Sequence, residues 1–147
     1  IENYRYTVFE QKMFYYKINL QNKTNPFWHG SRICKKKYLK TPQWIRNKKV
    51  KKFPFWKIYK IKWNVIKNGG WHFSFLMNAE QIKSKLAAYA HAEYNNENFN
   101  SLEKINYSIN NKIDLFDRSI NFEKIFFDTS FPDYIIKNKE KFKDWIL

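Results

Sequence analysis

Three histidines, two glutamates, two tryptophans and one arginine stand out as side chains whose type and place allow chemistry. His29, His72 and His91 can each ligate a cation, pass a proton or fill a hydrogen-bonded structural position. Glu93 follows His91 by two residues, near the end of a helix expected to run from Asn78 to about Glu93. The helix dipole disfavours a carboxylate there, and an acid kept in an unfavourable place points toward use. Glu80 lies in the first turn of the same helix, where the dipole favours it, so capping alone explains it. Either carboxylate can take a proton from an attacking hydroxyl. Trp28 and Trp71 offer flat apolar faces on which a sugar ring can rest, or equally core surface. Arg46 can hold a phosphate with both arms of its fork, or make an ordinary surface ion pair.

These side chains need elements to hold them. Val8 to Leu20 is rich in aromatic and branched residues and reads as one long strand or two short ones, with Phe14, Tyr16 and Ile18 sharing a face. Phe27 to Cys34 reads as a further strand, in which Gly30 permits a close approach or a bulge. Asn68-Gly69-Gly70 is the strongest turn signal and leads into a strand from Trp71 to Leu76, placing Trp71, Phe73 and Phe75 on one face. Asn78 with Gln81 three residues on forms a capping-box signature, and Ile82, Leu86, Tyr89 and Ala90 make the buried stripe behind it. Ser101 caps a second helix bearing Leu102, Ile105 and Ile109, and Pro132 opens a final helical stretch. The pattern gives one compact α/β unit with four or five strands.

The chain has 147 residues, 44% of them hydrophobic and 20% aromatic, enough to build a packed core. Its longest uncharged apolar stretch, Trp71 to Met77, is far shorter than a bilayer span. The single Cys34 excludes an intrachain disulfide, and one Cys with three His at these spacings cannot assemble a zinc cluster. The formal charge is +15, made of 24 Lys and only four Arg among the 28 basic residues. Lys enrichment beside abundant Asn, Ile, Tyr and Phe is what an A/T-biased coding sequence produces. A reader of bases or phosphates more often carries Arg. The region Lys35 to Lys62 nonetheless interleaves Lys with Trp44, Phe53, Phe55 and Trp56. That composition suits a surface loop with aromatic anchors, a loop over a sugar diphosphate, or a clamp on single-stranded nucleic acid.

The segment Gly69-Gly70-Trp71-His72-Phe73-Ser74-Phe75-Leu76, followed by Lys85-Leu86 and Ala90-His91-Ala92-Glu93, resembles glycosyltransferase family 17. This is the family of the β-1,4-mannosyl-glycoprotein N-acetylglucosaminyltransferase that makes bisecting GlcNAc. Gln11 to Asn19 resembles the family's aromatic strand, Trp28-His29-Gly30 its W-x-G step, and Phe131-Pro132-Asp133-Tyr134 its closing proline helix, with Arg46 where an Arg is expected. The likeness covers nearly the whole chain. It implies the C-terminal part of a GT-A-like (nucleotide-diphospho-sugar transferase) fold, a mixed sheet with flanking helices. Residues 1–147 would form one unit of a catalytic domain, without the N-terminal nucleotide-binding half and its D-x-D-type metal motif.

The resemblance further implies transfer of a sugar, GlcNAc above all, from a UDP-sugar donor to a glycan or glycoprotein acceptor with inversion at the anomeric carbon. It makes His91, ahead of His72, the chain's ligand for Mn²⁺ or Mg²⁺, the main acidic ligands lying elsewhere, and Glu93 or Glu80 the base. His72, Trp71, Trp28 and Arg46 become substrate-binding residues. The fragment alone would be inactive. Two other readings stand beside this one: a basic-aromatic nucleic-acid-binding module, and an inactive carbohydrate-binding remnant. The compartment is left open, cytoplasmic in a microbial or viral setting and the Golgi lumen for a eukaryotic homologue.

Overall fold

A computed structural model describes residues 3–50, 62–88 and 96–147, in two compact units interleaved along the chain. Unit 1 comprises residues 1–12 and 27–72; unit 2 comprises residues 13–26 and 73–147. The fold is mixed α/β, with eight strands and five α-helices among the described residues.

In unit 1, β1 (Tyr6–Phe9) is the central strand of a three-stranded sheet. It runs antiparallel to β5 (Arg32–Cys34), pairing Thr7 with Ile33, and parallel to β6 (Asn64–Ile66), pairing Val8 with Val65. Pairing on both edges buries Thr7 and Val8. The one α-helix described in this unit, α1 (Pro42–Arg46), starts where sequence chemistry says it should. Thr41 accepts a bond from Trp44 N at 3.0 Å, and Pro42 fills a first-turn place where no N–H is required. Tyr6 gathers Tyr38, Trp44 and Trp63 around its ring, with centroids 5.9–6.1 Å away.

The stretch read as one or two strands from Val8 to Leu20 is three: β1, β2 (Gln11–Tyr15) and the start of β3 (Leu20–Asn22). Glu10 breaks the first pair. Alternation also stops earlier than the pattern suggests, because Tyr16 takes a left-handed φ of 58°. Tyr15 and Tyr16 are therefore both buried, where strict alternation would put them on opposite faces. Phe27 to Cys34 likewise forms two strands, β4 (Phe27–Trp28) and β5, separated at Gly30. These short pieces raise the strand count above the expected four or five.

Strands β2 and β7 (Trp71–Ser74) begin in unit 1 and end in unit 2. Within unit 1, Gln11 pairs with Trp28 of β4, and Lys12 N donates to Gly70 O at 2.9 Å. Within unit 2, Phe14 pairs with Gln21 of β3, and Tyr16 N donates to Ser74 O at 3.0 Å. β3 in turn pairs antiparallel with β8 (Phe122–Lys124).

The core of unit 2 joins Tyr15, Tyr16, Leu20 and Phe75 to Ile82 and Leu86 of α2 (Ala79–Ala87), Ile105 of α4 (Leu102–Asn111) and Leu115. The capping box at α2 is present: Asn78 Oδ1 accepts from Gln81 N at 2.9 Å, and Gln81 Oε1 from Asn78 N at 3.1 Å. Tyr89 and Ala90, expected to extend its buried stripe, lie outside the described residues. Ser101 caps α4 as expected, but Leu102 is exposed and Ile105 carries the burial. The short α3 (Glu97–Asn100) precedes it, and α5 (Asp133–Lys137) follows Pro132 before a 3-10 helix at Lys139–Trp145. Phe75 leaves the strand at φ 52°, so its ring meets Tyr15 and Tyr16 while Phe73 stacks on Phe14. No helix among the described residues is long and apolar enough to cross a membrane.

Candidate functional site

The segment around the Gly-Gly turn is built by backbone geometry that few residues tolerate. Asn68 sits at φ 51° and Gly70 at φ 119°, the left-handed region where glycine carries no Cβ penalty. A Cβ on Gly69 would come 2.9 Å from Phe9 Cβ, so the turn also packs tightly on β1. From this turn β7 runs alongside β2, and Gln11 Nε2 donates to Trp71 O at 3.4 Å. His72, next along β7, lies flat against Trp28, with ring centroids 3.9 Å apart and planes 17° from parallel.

Trp28 is held from a second direction. A Cβ added to Gly30 would sit 1.8 Å from Cζ2 of the indole, so the ring lies directly over this glycine. Both constraints act on one half-buried side chain. Beside it opens a pocket of about 560 Å³ lined by Trp28, His29, Gly30, Arg32 and Arg46.

The two arginines of this pocket do different work. Arg32 donates from Nη1 to the carbonyls of Ile45, Arg46 (2.9 Å) and Lys48 (2.8 Å), and from Nε to His29 O at 3.0 Å. It thereby satisfies the carbonyl end of α1, where the dipole favours a cation. Burial lowers its pKa, and its guanidinium also lies 5.1 Å from the ring centre of Trp63. Arg46, the last residue of α1, is exposed, and among the described residues its guanidinium has no ion-pair partner. It is the group in the pocket available to an anion. Opposite charge is supplied by Glu10, whose carboxylate stands 3.5 Å from His29 Nε2.

The expected site residues are thus distributed unevenly. Trp28 and Arg46 line the pocket and His72 adjoins it through the Trp28 stack, whereas Trp71, one residue earlier on β7 in the same unit, is not among the lining residues. The face of Trp28 turned to His72 is closed to a sugar. Glu80 belongs to unit 2, exposed in the first turn of α2, and is not among the pocket's lining residues. His91 and Glu93 lie outside the described residues. Among the described residues no three His, Cys, Asp or Glu side chains gather as a metal site; the pocket is lined by guanidinium, imidazole and indole groups.

Glu10 and Arg32 carry no signal of their own in the sequence, and His29 stands there only as one of three histidines. The W-H-G step does mark His29, but only pairing across β1 and β5 brings Arg32 to the end of α1. No known protein family, curated protein or solved structure matches the chain.

Proposed function

We propose that the chain is the C-terminal portion of a GT-A-like inverting glycosyltransferase, moving a sugar, GlcNAc in the first instance, from a UDP-sugar to a glycan acceptor. The observation that carries this reading is the stack of Trp28 on His72. The W-H-G step and the G-G-W-H-F-S segment resemble two separate pieces of one enzyme family, and here their aromatic residues form a single wall. That wall borders a pocket with an exposed guanidinium at Arg46 that has no ion-pair partner among the described residues.

Physically, a sugar diphosphate needs a cation for its phosphates and an apolar surface for its ring. Arg46 supplies the first and the open part of the Trp28 indole the second. In the transfer step the acceptor oxygen bonds to the anomeric carbon as the bond to the diphosphate breaks. The acceptor hydroxyl's proton passes to a carboxylate, for which the family resemblance offers Glu93 or Glu80. The net gain in speed comes from holding these partners in line.

The test is release of UDP from UDP-sugars by the parent enzyme. UDP-GlcNAc should be consumed, with Arg46→Ala lowering kcat/KM by about 10- to 100-fold, the loss expected for a charge-assisted contact. Glu93→Gln and His91→Ala should each cut turnover by orders of magnitude. A folded parent that releases no UDP from any UDP-sugar rejects the reading. Full activity in Arg46→Ala rejects the pocket's part in it.

A further inference from the structure

The net charge of +15 is concentrated in one of the two units. By sequence, unit 1 carries 16 basic and two acidic residues, whereas unit 2 carries 12 and 11. No acidic residue at all occurs between Glu10 and Glu80. A coding bias that merely enriches Lys would load both units alike, so composition does not explain the segregation. One of the unit's two acids, Glu10, already faces His29.

Two described aromatic rings of unit 1, Tyr38 and Trp44, are already met by cations of the chain itself. Arg5 and Lys37 lie 5.0 and 5.1 Å from the ring centre of Tyr38, and Lys48 and Lys40 lie 5.0 and 5.7 Å from that of Trp44. Cations of the chain itself thus cover faces on which nucleobases would stack. What reaches solvent among the described residues is a set of charged heads, seven exposed Lys against two exposed Arg, and Lys acts as a point charge rather than a directional fork. Among them stand exposed apolar side chains, notably Tyr4 (52% exposed), Ile33 (45%) and Leu39 (39%).

We propose that unit 1 is a peripheral binding surface for an anionic lipid bilayer. Non-directional positive charge suits the diffuse negative layer of lipid headgroups, and neighbouring apolar and aromatic side chains suit the boundary beneath it. Neither feature depends on the transferase reading, so the two stand or fall apart.

Sedimentation with vesicles of phosphatidylcholine, with and without about 30 mol% phosphatidylserine, tests this. The chain should bind the anionic vesicles and leave the neutral ones. Binding should drop at least about tenfold between about 0.1 and 0.5 M salt. Lys35→Glu with Lys36→Glu and Lys49→Glu, all exposed positions of unit 1, should weaken binding about tenfold or more. Three equivalent reversals in unit 2, Lys124→Glu, Lys141→Glu and Lys143→Glu, should change it less than about threefold, which separates location from net charge. Leu39→Ser should weaken the salt-resistant part of the binding. Circular dichroism checks that every variant is folded. Absence of binding to anionic vesicles overturns the proposal, as does equal loss in the two triple variants. Tighter binding to single-stranded RNA than to vesicles, with RNA displacing the lipid, also overturns it and assigns the surface to nucleic acid.

Discussion

The imidazole of His72 lies flat on the indole of Trp28, and both side chains owe their meeting to the first two residues of β2. Gln11 pairs with Trp28, and the neighbouring Lys12 N holds Gly70 O, which fixes β7 on the other side. One strand therefore sets the register of two segments far apart in the chain. A slip of one residue in either pairing would turn Trp28 or His72 to the opposite face.

The stack should be measurable as a coupling energy. Trp28→Ala is expected to cost about 2 kcal/mol in urea unfolding, because a half-buried indole loses contact area and its ring partner. His72→Ala should cost about 1 kcal/mol. The double variant should cost less than the sum by about 0.5–1.5 kcal/mol, the range for aromatic pairs. Strict additivity would mean the rings touch without stabilising each other.

Gly30 is expected to be intolerant for a reason unrelated to φ. Alanine there places a methyl group within 1.8–2.3 Å of three indole atoms, so the ring must leave its seat. Gly30→Ala should cost about 1–3 kcal/mol, as overpacking does, and change Trp fluorescence. In a Trp28→Ala background the same substitution should be close to neutral. Persistence of the full cost without the indole would place the strain elsewhere.

How much of this was legible in the residues depends on the kind of signal. Local hydrogen-bond chemistry read well: the caps at Asn78 and Ser101, the Asn68–Gly70 turn and the close approach at Gly30 are all present. Alternation read less well, since Tyr16 and Phe75 both leave the strand region where their rings join one core. For bulky aromatic residues this costs about 1–2 kcal/mol each, which only tertiary burial can offset. The pocket was half legible. Trp28 and Arg46 carry recognisable chemistry, but the Glu10–His29 pair and the Arg32 cap arise from pairings that no short-range pattern encodes. The acid-free run between Glu10 and Glu80 is visible in the sequence, but assigning the charge to one unit needs the fold, because unit 1 is assembled from two separate stretches.

The capping box at Asn78 gives a cleaner energetic test than any pocket residue. Asn78→Ala removes the acceptor for Gln81 N at the start of α2, whose Ile82 and Leu86 are fully buried. Loss of such a cap is expected to cost about 1 kcal/mol, visible as a lower urea midpoint with an unchanged slope. Ser or Asp at this position should restore most of it. A cost below about 0.3 kcal/mol would show that packing alone anchors the helix.

Tyr16 should make the protein sensitive to alkali. Its hydroxyl donates to Ile113 O and accepts from Leu115 N, both at 3.1 Å, inside the unit 2 core. Burial raises its pKa well above the ordinary 10.0, the nearby Asp114 charge adds to this, and the bond from Leu115 N offsets part of it. In the folded state the phenol therefore stays protonated at pH values where the unfolded chain releases the proton. Stability conferred by the phenol is complete below pH 10 and falls as pH rises above it, by about 1.4 kcal/mol per unit until the folded-state value is reached. Tyr16→Phe should cost about 1–2 kcal/mol at pH 7, through the two unpaired backbone groups, yet lose stability less steeply above pH 10. The stability curves of the two proteins should then converge in alkali. Parallel curves from pH 9 to 11 would mean that Tyr16 ionises as easily inside the core as in water.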